Sequence, residues 1–148
     1  MTEILFYHLE QKPLGQVLPI LLEKSLQRGW KCAVQIGEKA KVAELDKALW
    51  TYNLEGFLPH GVYVEDGENQ HPIILCQSEQ NPNNAQVRFF VAGAVPEDAG
   101  DYERLVFMFD GHDSEKVIAA RLAWKALSPN HDTTYWQQDQ NGSWSKKA

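Results

Sequence analysis

The sequence predicts an α/β fold of three layers, in which a mostly parallel sheet carries helices on both faces. In the first third of the chain, apolar strand-like runs alternate with amphipathic helical segments, and parallel strands need such crossover helices. Later, the strongly apolar run at residues 104–109 is followed by another amphipathic segment, which predicts a central strand and a last helix. With 148 residues and 43% hydrophobic residues, the chain is large enough for one packed domain.

The hydrophobic pattern predicts strands and helices in a definite order. The expected strands are residues 4–9, 31–36, 72–77, 86–92, 104–109 and 133–138, the last of them at an edge of the sheet. Pro13 suits the start of the first helix, and Gly29 closes it. Because Pro19 lies inside that helix and lacks an N–H, it predicts a kink or a late start. The second helix follows Gly37 and ends at Trp50.

The remaining stretches are expected to be loops. Residues 61–71 and 96–101 are polar, and the Asn-Pro-Asn-Asn run at residues 81–84 is typical of a turn. The sequence shows no repeat and no low-complexity linker. We therefore predict a single domain over residues 1–148, in which residues 139–148 form a loose C-terminal tail.

Composition and charge restrict the function. The chain has 14 basic and 20 acidic residues, a formal net charge of −6, whereas a protein that binds DNA strongly normally carries a basic surface. No apolar run approaches the ~20 residues of a membrane span, and the N-terminus enters a strand without a signal-peptide pattern. We expect a cytoplasmic protein in which Cys32 and Cys76 are buried thiols of a reducing compartment.

The sequence lacks the common motifs of phosphate binding and nucleophilic catalysis. The segment after the first strand has a single glycine, and neither G-x-x-x-x-G-K-[ST] nor G-x-G-x-x-G spacing occurs there. A G-x-S-x-G elbow is also missing from the sequence. The sheet is therefore predicted to be Rossmann-like without a phosphate-binding loop, and no cofactor is expected.

The Asp-Gly-His-Asp run at residues 110–113 follows the predicted central strand. The carboxyl edge of a parallel sheet holds metal or phosphate sites in many enzymes, so a small metal- or nucleotide-dependent phosphohydrolase is one alternative. In a structural interpretation, Asp113 caps the next helix, Gly111 permits the turn and Asp110 binds loop N–H groups. Three other histidines lie apart along the chain, namely His60, His71 and His131. Because none of them has metal-ligand spacing, we favour the structural interpretation and predict no metal site.

The last helix, capped by Asp113 and expected to run to about Leu127, is the strongest functional candidate. Residues 116–131 include no acidic side chain, although the protein is acidic overall. At about 100° per residue the helix divides into two faces. The main apolar stripe comprises Ile118, Ala119, Leu122, Ala123, Ala126 and Leu127. The opposite face comprises Val117, Arg121, Trp124 and Lys125.

Trp124, on this second face, has two interpretations. In the first, it packs beneath a further layer that includes Tyr135 and Trp136, and Arg121 and Lys125 are solvated. In the second, the group is a pocket for an anion with an apolar side chain. Arg121 would then bind a carboxylate bidentately, while Trp124 and Val117 would accept the apolar group.

A longer pattern covers residues 45–60, where L-D-x-A-L-W is followed after six residues by F-x-P-H. It describes a helix that ends at Trp50, a polar loop, and a return to apolar sequence at Phe57. Further agreement lies at Phe6-Tyr7, residues 102–111, Arg121 and Trp124-Lys125. This ordered set resembles the chi subunit of bacterial DNA polymerase III, a non-catalytic component of the clamp-loader assembly.

The resemblance implies partners and site residues. Chi subunits bind the acidic, phenylalanine-ended C-terminal tail of single-stranded-DNA-binding protein and join the clamp loader through the psi subunit. Contact with DNA is then indirect. Arg121 matches the family's principal tail-binding arginine, Trp124 matches a neighbouring aromatic residue, and Lys125 follows in register.

Three further positions complete the site that the resemblance implies. Trp50 and Phe57 match aromatic residues that line the same area, although core packing explains them equally well. Val117 departs from the family, whose other members carry a lysine one turn before the arginine. The positive charge at that end of the site is therefore expected to be weaker or to come from elsewhere.

Direct binding of single-stranded DNA is the other alternative. Exposed aromatic side chains stack on bases, and lysines contact the phosphates. The residues concerned are Trp124, Trp136, Trp144, Lys146 and Lys147. The net charge of −6 argues against this alternative, because binding to phosphates needs a basic surface.

Overall fold

The computed structural model of the protein describes residues 2–10, 14–51, 59–65, 71–77, 81, 83–94, 102–141 and 143–147. Its strands are β1 (Glu3–Leu9), β2 (Cys32–Ile36), β3 (His60–Val62), β4 (Ile73–Cys76), β5 (Val87–Val91), β6 (Arg104–Asp110), β7 (Asp132–Gln138) and β8 (Trp144–Lys146). Its α-helices are α1 (Leu14–Gln27), α2 (Lys39–Thr51) and α3 (Ser114–Leu127), and a 3-10 turn at Ser128–Asn130 follows α3. Each predicted strand is present with its ends within about one residue of the expected positions, and β3 and β8 are additional.

The strands form one sheet in the order β3-β4-β2-β5-β6-β1-β7-β8. Every neighbouring pair is parallel except β7 and β8, which are antiparallel. Strand β6 lies inside the sheet between β5 and β1, as its continuous apolar sequence predicted. The predicted α/β class with a mostly parallel sheet is confirmed.

The sheet separates two apolar layers, and the side chains of β6 show how. Leu105, Phe107 and Phe109 point towards α3. Val106 and Met108 point to the other face, where they pack with α1 and α2. Because successive side chains of a strand alternate between the two faces, a strand that is covered on both faces needs apolar residues throughout. The predicted helices on both faces are therefore present.

Helices α1 and α2 cover one face of the sheet. Pro19 lies inside α1 and is buried there, and the helix already begins at Leu14. The predicted late start is therefore wrong. The helix loses one backbone hydrogen bond at Pro19, but the ring adds to its buried apolar surface. Beyond the end of α1, Gly29 has a φ of +82°, which suits a glycine that closes a helix.

Helix α3 covers the other face, and both of its ends follow the sequence. The Asp113 carboxylate accepts hydrogen bonds from the backbone N–H groups of Glu115 at 3.1 Å and Lys116 at 3.3 Å. The predicted N-cap is therefore confirmed. At the other end, Pro129 lies in the 3-10 turn after Leu127, where a further α-helical turn would require its missing N–H.

The C-terminal region differs from the prediction. Strand β7 is not at an edge, because β8 pairs with its outer side in antiparallel register. We expected a loose tail from residue 139, but Trp144 packs edge-on against Tyr7, with ring centroids 5.0 Å apart. This contact anchors the short β8 to the core. Strand β3 (His60–Val62) likewise extends into residues 61–71, which we expected to form a loop.

The two cysteines are buried, as predicted. Cys32 lies in β2, and burial raises the pKa of its thiol to about 12. Cys76 lies in β4, and burial also raises the pKa of its thiol. Among the described helices, none has the length and apolar character that a membrane span requires.

Candidate functional site

Four side chains of α3 form what we call the outer face of α3. They are Ile118, Arg121, Leu122 and Lys125, all of them exposed. Ile118 is 57% exposed and Leu122 is 62% exposed, so two large aliphatic groups lie in solvent one helical turn apart. The outer face of α3 therefore combines two cations with an apolar ridge.

The face of α3 that packs on the sheet is not the predicted one. Val117, Ala123, Trp124 and Leu127 pack around the buried Ala120. Val117 and Trp124, which we grouped with Arg121 opposite the main apolar stripe, pack on the sheet. Ile118 and Leu122 of that stripe are exposed instead. The aliphatic stripe alone did not identify the buried face of α3, because the Trp124 side chain has far more apolar area to bury than that of Ile118 or Leu122.

The contacts of Trp124 explain this orientation. Its indole ring packs edge-on against Phe6 at 5.4 Å and against Tyr135 at 5.9 Å, measured between ring centroids. The first interpretation of Trp124, packing with Tyr135, therefore describes its position. Trp136 is not part of this contact, because it pairs with Tyr7 in the sheet and lies on the opposite side of β7 from Tyr135.

The charge of Arg121 acts on two side chains of neighbouring strands, His8 of β1 and Tyr135 of β7. His8 Nδ1 and the Tyr135 hydroxyl are 2.7 Å apart and share a hydrogen bond. The pKa of His8 is lowered mainly by burial; the Glu10 carboxylate opposes this shift, and the Arg121 charge adds to it. Burial raises the pKa of Tyr135, and the Arg121 charge opposes that rise. A guanidinium group thus lies close to a buried, mainly neutral pair of side chains.

The cations of the outer face differ from the other cation of the same helix. Lys116 Nζ lies 3.0 Å from Glu38 Oε1 and 3.7 Å from Asp113 Oδ2. Arg121 and Lys125 form no ion pair with any carboxylate of the described residues. In a chain of net charge −6, this leaves a local positive surface available to an anion.

Of the residues that the resemblance placed near this site, Trp50 lies elsewhere. Trp50 is at the end of α2, on the opposite face of the sheet from α3, and is 54% exposed. Its ring lies 4.9 Å from that of His60. It does not share a pocket with Trp124, because the sheet separates α2 from α3. Phe57 lies outside the described residues.

The Asp-Gly-His-Asp run supports the turn between β6 and α3. The Asp110 carboxylate accepts the His112 N–H at 2.9 Å, and Asp113 caps α3. His112 Nε2 lies 2.8 Å from the backbone oxygen of Glu10, which ties this turn to the end of β1. In the described part of the chain, no group of three or more His, Cys, Asp or Glu side chains is arranged to hold a metal ion. This geometry supports the structural interpretation.

A crevice lies nearby, at the carboxyl ends of β1 and β6, and we call it the carboxyl-edge crevice. The helices that follow these adjacent strands pack on opposite faces of the sheet, the arrangement that opens ligand sites in α/β proteins. Its volume is about 440 Å³. Lys41 and Lys116 at its wall both contact carboxylates of the protein, Glu44 at 3.2 Å and Glu38 at 3.0 Å. The crevice therefore offers an anion little uncompensated charge.

No sequence motif points to His8 and Tyr135 as neighbours of Arg121. His8 and Tyr135 are far apart in the chain and meet only because β1 pairs with β7. Gly111 belongs to the same arrangement, since a Cβ atom there would overlap the His8 ring at Nε2. For direct binding of single-stranded DNA, the geometry is unfavourable. Trp124 packs inward, and Trp144 packs against Tyr7.

Fold and site together define an α/β protein with a mostly parallel sheet and an exposed cationic helix. Comparison with known proteins gives a family. The model of the family described as DNA polymerase III chi subunit, HolC, matches residues 1–132. The chain belongs to this family, and it is thus an accessory subunit of DNA polymerase III in DNA replication.

The names of two similar curated proteins agree with this family. One, named probable DNA polymerase III subunit chi, is from Rickettsia prowazekii. It is 24% identical over 155 aligned residues, which cover 100% of this chain and 93% of the relative. The other, named DNA polymerase III subunit chi, is from Pseudomonas aeruginosa. It is 30% identical over 87 residues, which cover 57% of this chain and 60% of the relative.

Proposed function

We propose that this chi subunit couples single-stranded-DNA-binding protein to the clamp loader in the cytoplasm. The outer face of α3 binds the acidic C-terminal tail of that protein, and a different surface joins the clamp loader through the psi subunit. Contact with DNA is indirect. Polymerisation is carried out by other subunits, so the contribution of this chain is to hold two partners together.

The cations of the outer face of α3 are the observation that supports this proposal. Arg121 and Lys125 are exposed and have no ion pair within the described residues. A guanidinium group binds a carboxylate through two parallel hydrogen bonds, which makes Arg121 the stronger recognition group. An acidic peptide supplies the carboxylates, and it would otherwise be repelled by a protein of net charge −6.

The exposure of Arg121 makes a clean experiment possible. Replacing an exposed arginine usually changes stability little, so Arg121→Ala is expected to remain folded. Loss of the charge-assisted hydrogen bonds should weaken tail binding by about 1–3 kcal/mol, which is roughly 5- to 150-fold in Kd. Binding should also weaken as salt is added, because screening acts on exposed charges.

We would titrate the protein with a fluorescent peptide that copies the acidic tail and follow anisotropy. The wild type should bind with a Kd on the order of micromolar. Lys47→Ala is the matched control, since Lys47 is also an exposed helical cation but lies on α2. Binding by Lys47→Ala and not by a folded Arg121→Ala would support the proposal. Absence of binding by the wild type at low salt would contradict it.

A further inference from the structure

A cleft of about 390 Å³ lies beside α1, on the opposite face of the sheet from α3. Its floor is a row of apolar side chains from three neighbouring strands, Phe89 of β5, Val106 of β6 and Leu5 of β1. One wall is a side of α1 on which residues three or four apart lie together. The residues of this wall are Leu21, Lys24, Ser25 and Arg28, the last of them just beyond the helix. We call this feature the α1 cleft.

The α1 cleft is locally positive. Its described lining includes the cations Lys24, Arg28 and Arg104. Arg104 Nε lies 2.7 Å from Glu3 Oε1, whereas Lys24 and Arg28 contact no carboxylate in the part of the chain that the structure describes. Cations also stabilise a helix C-terminus, which accounts for Lys24 in the last turn of α1 but not for Arg104 of β6. In a chain of net charge −6, this cluster favours an anionic ligand.

Trp30 orients the two guanidinium groups. Arg28 Cζ lies 4.3 Å from the centroid of the Trp30 ring, and Arg104 Cζ lies 5.2 Å from it. A guanidinium group that lies over an aromatic ring still presents the N–H donors of its edge. Because Glu3 occupies only Nε of Arg104, the outer nitrogens of Arg104 and the whole fork of Arg28 can bind a ligand. Side chains that are already ordered lose less entropy on binding.

A phosphate ester is the anion that this cluster fits best. Phosphate oxygens accept parallel hydrogen bonds from a guanidinium fork, and a phosphate monoester carries a charge of about −2 at neutral pH. Two arginines and a lysine compensate such a charge better than they compensate a single carboxylate.

The size and lining of the cleft indicate that the ligand carries more than a phosphate group. The volume of the cleft lies within the range of about 300–1,000 Å³ that is usual for small organic ligands. Tyr7 and Leu21, which also line the cleft, are half-buried, so each leaves apolar surface that a flat ring can cover. A nucleotide combines a flat ring with a phosphate group.

The surroundings of the cleft favour a ligand with few phosphates. Glu103, which precedes Arg104, is exposed, and so is Asp132, which pairs with Glu3 in the sheet. A nucleic acid strand would bring further phosphates close to these carboxylates, where like charges repel.

We propose that the α1 cleft binds a free nucleoside monophosphate. The phosphate is bound by Arg28, Arg104 and Lys24, and the base packs against Tyr7 and Leu21. This inference does not depend on the proposed function, because the α1 cleft and α3 lie on opposite faces of the sheet.

The first test is a calorimetric titration with adenosine monophosphate at low salt. The wild type should bind with a Kd on the order of 0.1 mM. Arg28→Ala should raise Kd roughly 10-fold, and Arg28→Lys should raise it less, because an ammonium group keeps the charge without the fork. Lys47→Ala, an exposed cation of α2, is the control and should bind as the wild type does. The unfolding midpoints should agree, since Arg28 and Lys47 are exposed.

Glu3→Gln provides a test that a purely structural role of Arg104 does not pass. The change removes the carboxylate that competes with the phosphate for Arg104, so Kd should fall several-fold. An unchanged or higher Kd in the folded variant would overturn the participation of Arg104, and with it the site proposed here.

Inorganic phosphate and a single strand of about ten nucleotides distinguish the sources of the phosphate. Inorganic phosphate should bind roughly 10-fold more weakly than adenosine monophosphate, because it lacks the base. Equal affinity for these two ligands would overturn the nucleotide, and tighter binding of the strand would overturn the free ligand in favour of nucleic acid. Absence of binding by all three would overturn the site. Arg28→Ala should still bind the acidic tail peptide as the wild type does, so failure here leaves the proposed function intact.

Discussion

The carboxyl-edge crevice and the outer face of α3 both carry charged side chains, but those charges have different partners. In the crevice, Lys116 contacts Glu38 and Asp113, so its charge is compensated within the protein. On the outer face, Arg121 and Lys125 form no such pair with the described residues. The first region serves the fold, and the second is available to a partner. Under the proposed function, the exposed helix and not the cavity is the binding surface.

The largest expected effect concerns the two sides of α3. Trp124→Ala should lower the free energy of unfolding by about 3 kcal/mol, because the indole ring packs on Phe6 and Tyr135. Arg121→Ala should change it by less than about 0.5 kcal/mol. Urea unfolding of both variants measures the two free energies of unfolding. Similar losses for both would show that Arg121 is structural and would remove the distinction between the two sides.

A smaller effect is expected at the carboxyl edge of the sheet. In Gly111→Ala the new Cβ would overlap His8 Nε2 and would lie 2.9 Å from the backbone oxygen of Leu9. Relieving this overlap should cost about 2 kcal/mol of stability. Gly15→Ala is the control, since its Cβ meets only Ala48 at 3.5 Å, and it should stay within about 1 kcal/mol of the wild type. Equal midpoints for the two variants would contradict the packing described here.

The smallest expected effect is a dependence of stability on pH. It comes from His8, whose pKa is lowered in the folded protein mainly by burial. The surrounding charged or titratable groups are Glu10, Asp110, His112, Arg121 and Tyr135. Above about pH 7 the ring is neutral in both the folded and unfolded states. Below the unfolded pKa of about 6.5 the unfolded chain binds more protons, so stability is lost as pH falls towards the folded pKa.

The experiment compares wild type with His8→Gln. We would measure the free energy of unfolding of each protein at pH 7.5 and pH 5.5. The wild type should lose more stability between these pH values than the variant, because only the wild type gains the extra proton on unfolding. A loss of the same size in both proteins would mean that other groups carry the pH dependence.

Much of the fold could be predicted because the signals are local. Alternation and apolar runs give the strand positions, and Asp113 followed by an apolar segment gives the start of α3. Short polar edge strands such as β3 and β8 give almost no pattern, because few of their residues are buried. Their pairing depends on a distant neighbour, which a single segment of sequence does not contain.

The candidate site shows the same division between local and distant information. Arg121 and Lys125 could be found from the absence of acidic residues around them. The packed position of Trp124 was one of two interpretations, and the sequence could not decide between them, because the aromatic surface that receives the indole ring includes Phe6 from the start of the chain. Likewise, nothing local places Trp50 on the opposite face of the sheet, since that depends on where the crossover between β2 and β3 runs.

The buried cysteines make the protein convenient for spectroscopy. The sequence has two cysteines, and both lie in buried strands where the thiolate form, the one that reacts with maleimides, is strongly disfavoured. A cysteine introduced at an exposed position such as Glu115 would therefore be labelled selectively without removing the native ones. A dye at that position would report directly on a peptide that lies along α3, in solution and in larger assemblies.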